Sequence, residues 1–306
     1  MKRIAIAILT FVALYDLGAI PGSAQGAKPK PGSRYLPIVF AVLNDGKFVE
    51  PIGYIDRGKL APAVDNATEA AKLAAFNRQF YKPATTYRLI FGGANAGTAT
   101  IKSSDPKAEC SANTAQITFT STRAKLKGNV MALATNSVTS TKGSGIRRLP
   151  TAAERAEIES LVRAELTAQK VSQDAVKDLK YHNLTALDVD GDGSIELVGT
   201  FWVDTSATSR ALLFFIADKG SGGKYIFGFK DFRTIEQKDV MSSDIKDLDT
   251  GVYHERLLDI FDIDNDGTAE VFTYIQSFEG AGFNVYKRSA GKWSNVFEGS
   301  NYHCAY

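Results

Sequence analysis

The sequence predicts a mainly β protein with a few helices, in which a β-rich domain precedes two four-stranded antiparallel repeats. Three observations carry this. Short runs rich in Val, Ile, Phe and Tyr alternate with Gly- and Asn-containing turns along most of the chain. Helical periodicity with a capping residue in front is confined to a few stretches. After residue 180 the order of strands and turns occurs twice, as in stacked propeller blades.

The first 24 residues read as a secretory signal peptide. Lys2 and Arg3 form a basic start, Ile4 to Tyr15 an apolar run, and Gly22–Ala24 a small-residue cleavage site. The run is short of the ~18–20 apolar residues that span a bilayer, and Asp16 interrupts it. No membrane span is therefore expected after cleavage. The expected location is secreted, periplasmic or cell-surface. Residues 25–34, rich in Pro, Gly and cations, read as an extended linker.

The 306 residues are 44% apolar, enough for a substantial core. Lys and Arg number 36 against 34 Asp and Glu. Without Lys2, Arg3 and Asp16 the balance is 34 to 33, so no nucleic-acid partner is implied. "RAKLK" (Arg123–Lys127) and "GIRR" (Gly145–Arg148) read as solvated surface. In an oxidising compartment Cys110 and Cys304 either pair or stay free, because the Cα separation that decides is not in the sequence.

Residues 35–148 read as the β-rich domain. "PIVFAVLNDGKFVEPIGYI" is a hairpin about Asn-Asp-Gly. Asp65–Tyr81 reads as a helix capped by Asp65 or Asn66. "TTYRLIFGGANAGTATIKS" gives strand, glycine turn, strand, and "TAQITFTS" and "KGNVMALATNS" give two more strands. The small polar stretch Ser137–Gly145 places a boundary, so residues 149–306 form the second domain. Thr151 and Glu154 have capping-box spacing, and Ile158, Leu161, Val162 and Leu166 fall on one helical face. Ser172–Leu179 adds a short helical turn.

Then come the two repeats. "NLTALDVD", "IELVGTFWV", "ALLFFIADK" and "YIFGFKDF" are matched by "RLLDIFDID", "AEVFTYIQSF", "GFNVYKR" and "WSNVFEG". Each set holds one acidic loop of pattern D-x-D-x-D-G-x-x-E. Loop one has Asp188, Asp190, Asp192 and Glu196; loop two has Asp262, Asp264, Asp266 and Glu270. Carboxylates this close repel unless a cation lies between them. Calcium, which takes 6–8 oxygens in a flexible shell, fits better than magnesium. Gly193 and Gly267 permit the turn, and the carbonyls of Ser194 and Thr268 offer a backbone ligand. The expectation is two Ca2+ sites. Neither loop is an EF-hand, which needs Glu at position twelve and flanking helices. Those positions are Gly199 and Thr273, and the flanks are β.

These loops and their following strands, over about Leu184–Phe297, resemble FG-GAP repeats and the related VCBS repeats of integrin α-subunits and exported bacterial proteins. The resemblance implies blade-like sheets with a calcium loop joining two strands. The Phe-Gly and Gly-Ala-Pro flanks of that family are missing here, and "FGGA" at Phe91–Ala94 reads as a turn. Two blades do not close a propeller, which takes 4–8. Either further blades lie upstream or the two sheets pack on each other.

No enzyme motif is found. His182, His254 and His303 lack metal-ligand spacing, and there is no G-x-S-x-G. His182 reads as an edge or surface residue. His254–Glu255 has no nucleophile beside it, and Ser243–Gly251 reads as a solvated linker. The expected function is an exported calcium-binding repeat protein, a binding or adhesion module for an extracellular or periplasmic protein or glycan. The alternative is a secreted hydrolase or lyase, acting for instance on polysaccharide, with the repeats as scaffold.

Overall fold

In the computed structural model, residues 35–65, 68–139 and 142–304 are described. The signal and linker expected at 1–34 lie outside the described residues, as does the candidate cap Asn66. The observed fold is mainly β, with sixteen strands, three α-helices and two short 3-10 segments among the described residues.

The run "IVFAVL" does not alternate because β1 (Ile38–Leu43) is buried on both faces. Ile38, Phe40 and Val42 face one core; Val39, Ala41 and Leu43 face another. Asn44-Asp45-Gly46, all at positive φ, turn the chain into β2 (Phe48–Asp56). The short β3 (Lys59–Pro62), not expected from the sequence, pairs with β2. Helix α1 (Ala70–Phe80) starts at Glu69, later than expected. Asp65 instead closes a local turn with Thr68. Strands β4 (Thr86–Phe91), β5 (Ala94–Ser104), β6 (Ala115–Ser121) and β7 (Ala132–Thr135) follow as expected. The order β1-β7-β4-β5-β6-β2, closed by the β1–β2 pairing, makes a six-stranded antiparallel barrel. Closure removes the exposed edges that these strands would otherwise leave. Phe76, Phe80 and Tyr81 pack with Phe40 and Tyr87 in the barrel core.

Past the barrel come β8 (Arg147–Arg148), α2 (Ala152–Ala168) and α3 (Gln173–Lys177). The expected capping box is present: Glu154 N–H donates to Thr151 Oγ1 and Thr151 N–H donates to the Glu154 carboxylate. The first repeat is β9 (Lys180–Leu187), β10 (Glu196–Ser206), β11 (Ser209–Lys219) and β12 (Tyr225–Glu236), with β8 added at the β9 edge. The second is β13 (Glu255–Phe261), β14 (Glu270–Gln276), β15 (Gly280–Ser289) and β16 (Lys292–Tyr302). Both are antiparallel meanders, as the repeated strand order predicts.

These parts stack in layers. Ile158, Val162 and Leu166 of α2 cover one face of the first repeat. Its other face, with Leu187, Val198, Phe214 and Ile216, meets Leu257, Ile260, Val271 and Tyr286 of the second repeat. The second repeat in turn packs Leu258, Phe261, Phe272 and Phe283 on the outside of the barrel. Strands buried on two faces explain the continuous apolar runs "LVGTFWV" and "ALLFFIA". Upstream of α2 the described strands form the barrel, β3 paired beside it and the two-residue β8, rather than further four-stranded sheets.

Two surface expectations are corrected. Arg147 of "GIRR" is buried, its side chain 3% exposed, and pairs with the fully buried Asp259 at 2.7 Å. In "RAKLK" the charged Arg123, Lys125 and Lys127 are exposed as expected, while Ala124 and Leu126 between them join the barrel core. Ser243–Gly251 is not a solvated linker. It forms a 3-10 segment, Ile245–Thr250, that buries Ile245 and Leu248 against Trp202 and Leu212. Cys110 and Cys304 are joined as a disulfide, with Cα atoms 5.2 Å apart. No helix among the described residues is long and apolar enough to cross a membrane.

Candidate metal centres

Both acidic loops are set by strand register. Leu187 pairs with Glu196 across β9 and β10, and Phe261 pairs with Glu270 across β13 and β14. The residue before the first Asp thus lies opposite the last Glu in each repeat. Inside the loops the carboxylates also organise backbone. Asp188 accepts from Gly191 N–H at 2.7 Å, and Asp262 accepts from Asn265 N–H at 2.7 Å. Asp190 and Asp264 accept from Asp192 and Asp266 N–H, each at 3.3 Å. Ser194 and Thr268 donate their N–H groups to Asp192 and Asp266. Glu196 and Glu270 accept from Val189 and Ile263 N–H, each at 3.0 Å. Gly193 and Gly267 have φ of 84° and 94°, the left-handed region that favours glycine.

In loop one Asp188, Asp190 and Asp192 each bring an oxygen within 4.8 Å of the others; in loop two Asp262, Asp264 and Glu270 do so. Glu196 and Asp266, expected in these sets, stand outside the two trios. Ser194 and Thr268 take part through their N–H groups. The donors are all oxygen, the set a hard divalent cation such as calcium takes. Burial pushes Glu196 and Glu270 up to about 7. The loops touch directly, Ala269 N–H donating to the Val189 carbonyl at 2.7 Å. The boundary segment runs beside both: Ser144 donates to the Asp188 carbonyl and Thr139 bonds Asn265.

Two basic residues complete the sites and were missed in the sequence. Lys287 Nζ lies 2.7 Å from Asp264, 2.7 Å from Asp266 and 2.9 Å from Glu270. Burial opposes its charge, yet these three hydrogen bonds hold the ammonium above the ordinary lysine range. Its neighbour Arg288 crosses to the other repeat. It pairs with Asp190 and approaches Asp218 at 3.4 Å and Glu196 at 3.5 Å. Consecutive strand residues point to opposite faces, so one dipeptide serves two loops. The clue available in the sequence was the matched position of Asp218 in "ALLFFIADK" and Lys287 in "GFNVYKR".

The histidines lie elsewhere. His182 is half-buried rather than on the surface, stacked on Trp202 and edge-on to His254 with centroids 4.7 Å apart. His254 is fully buried, and neither ring nitrogen has a hydrogen-bond partner among the described residues. Glu255 is a structural acceptor for Thr273, Asn284 and Tyr286. His303 Nε2 lies 2.6 Å from Glu50, on the wall of a cavity of about 470 Å3.

Burial, then His182, Arg256 and Arg233, push His254 down to about 3. The unfolded ring titrates near 6.5. Below that pH the unfolded chain takes a proton that the folded chain refuses. The stability is therefore fully present above about 6.5 and is lost as pH falls toward about 3, at up to about 1.4 kcal/mol per pH unit. Urea unfolding should show the wild type losing about 2 kcal/mol more than His254→Leu between about pH 6.5 and 5. Parallel pH profiles would mean that the ring is not held neutral.

No protein-family model, curated protein or solved structure matches the chain.

Proposed function

We propose that this is an exported calcium-binding repeat protein whose ions close two strand connections, and that it serves as a binding or adhesion module at the cell surface or in the periplasm. Its partner would be an extracellular or periplasmic protein or a glycan. One observation carries the reading: two loops of the same sequence pattern, at the same register in two like meanders, each converge three carboxylates. On this reading each meander is a blade-like repeat of the FG-GAP or VCBS kind, and Asp188, Asp190 and Asp192 hold one ion while Asp262, Asp264 and Glu270 hold the other. The flanks are strands packed on both sides, with no helix pair to open. Binding therefore stabilises rather than switches.

Isothermal titration of metal-free protein tests this. Calcium should bind at two sites and magnesium much more weakly, and Asp190→Ala and Asp264→Ala should each remove one site. A ligand of the folded state adds RT ln(1 + [L]/Kd), about 2.7 kcal/mol at a hundredfold excess over Kd. Chelation should thus lower the melting temperature and leave the far-UV circular dichroism at room temperature unchanged. No binding at millimolar calcium would end the assignment. Calcium-driven binding of an apolar dye would replace the structural role with a sensor's.

A further inference from the structure

The two loops match in pattern and register but not in what faces them. Leu197, next after Glu196, pairs with Ala217 on β11. Val271, next after Glu270, pairs with Tyr286 on β15. Asp218 and Lys287 therefore occupy the same position beside the two glutamates, an acid in one repeat and an ammonium in the other. Lys287 bonds two of the three converging residues of loop two, Asp264 and Glu270, and also Asp266. Arg288 bonds only Asp190 of the converging trio in loop one. Part of its charge is answered outside that trio, by Asp218 and Glu196.

A cation tethered among carboxylates does what a bound ion does: it offsets their mutual repulsion. It is present at a high effective concentration set by its short tether. A free divalent ion must displace it or share its oxygens. Resting on the calcium reading above, we infer that the loops bind calcium unequally: loop one fills first, and Lys287 is a built-in competitor that holds loop two closed until calcium is high. Loop two then keeps its shape without metal, because Lys287 links its acids to β15. Among the described residues, loop one gathers Asp188, Asp190, Asp192, Glu196 and Asp218 around the Arg288 guanidinium from the neighbouring repeat, and depends more on the ion. The direct Ala269–Val189 hydrogen bond would let the preformed loop brace the other.

Calcium titration of the full protein and of Lys287→Met tests this, with folding checked by circular dichroism. The methionine keeps most of the apolar stem and removes the charge. In wild type the titration should resolve one tight step and one at least tenfold weaker, and Asp190→Ala should abolish the tight one. In K287M the weak step should tighten at least tenfold with the tight step unchanged. The reciprocal Asp218→Lys, which places an ammonium at the same register beside loop one, should weaken the tight step, and it decides the matter if K287M does not fold. Two equal steps in wild type, or a weak step that K287M leaves unmoved, would overturn the inference while the calcium reading stands. No calcium step in either protein would overturn both.

Discussion

Replacing Asp259 by Ala should destabilise the protein by about 3–5 kcal/mol, the cost of breaking a buried ion pair from one side. Both carboxylate oxygens are fully engaged. Oδ2 accepts from Arg147 Nη1 at 2.7 Å and Gly92 N–H at 3.1 Å. Oδ1 accepts from Gly93 N–H at 3.1 Å and Ile260 N–H at 2.7 Å. Four donors on two oxygens suit the ionised, acceptor-only form. Alanine would leave the buried Arg147 guanidinium without its counter-charge and the Gly92 and Gly93 N–H groups without this acceptor, although Nη1 keeps the Met131 and Leu258 carbonyls. Gly92 and Gly93 turn at φ 65° and 72°, and a Cβ on Gly92 would meet Gly145 at 2.8 Å. Three parts of the chain meet at this pair: the β4–β5 turn, β8 and β13. The readout is the shift in urea midpoint at constant slope. Arg147→Met alone should also destabilise, and the double variant Asp259→Leu with Arg147→Met should cost less than the sum of the singles. A loss below about 1 kcal/mol in Asp259→Ala would mean that water reaches Arg147.

That pair marks where the sequence stops being readable. Most of the elements were legible, because they follow from local chemistry; β3 and the 3-10 segment Ile245–Thr250 were not. Thr151 and Glu154 define a helix start by their spacing, Asn44–Gly46 define a turn, and the acidic loops share one pattern of Asp, Gly and Glu. What the elements meet was not legible. "GIRR" resembles solvated surface because its charges carry no local sign of Asp259, 112 residues away. Ser243–Gly251 shows only two apolar residues among acids, and those two are what Trp202 and Leu212 cover. Barrel closure depends on β1 meeting β7 and β2 at once, a fact of register rather than composition. β1 hinted at burial on both faces by failing to alternate, but could not say against what. In the loops, the acids were found by pattern, whereas Lys287 and Asp218 required knowing which residue of one strand faces which of the next.

Cleaving the Cys110–Cys304 bridge should cost up to about 5 kcal/mol, the loop-entropy value for a closed loop of this length. The bridge spans 194 residues, tying the end of the chain past β16 to the connection before β6. Removing it enlarges the unfolded ensemble, so the unfolded state gains most of the entropy. The folded state keeps other ties at the same place. Asn301 donates to the Pro51 carbonyl at 2.9 Å, His303 N–H donates to the Glu279 carbonyl at 2.6 Å, and the His303 ring meets Glu50. The reduced protein should therefore keep its native circular dichroism in buffer and unfold at a much lower urea concentration. Its denaturant slope should rise, because an uncrosslinked unfolded chain exposes more surface. The double variant Cys110→Ser, Cys304→Ser should behave as the reduced wild type does. If two thiols are titrated and the urea midpoint has not moved, the bridge is not what fastens the last strand to the barrel, and noncovalent contacts such as Asn301 with Pro51 and Phe297 with the barrel face hold it.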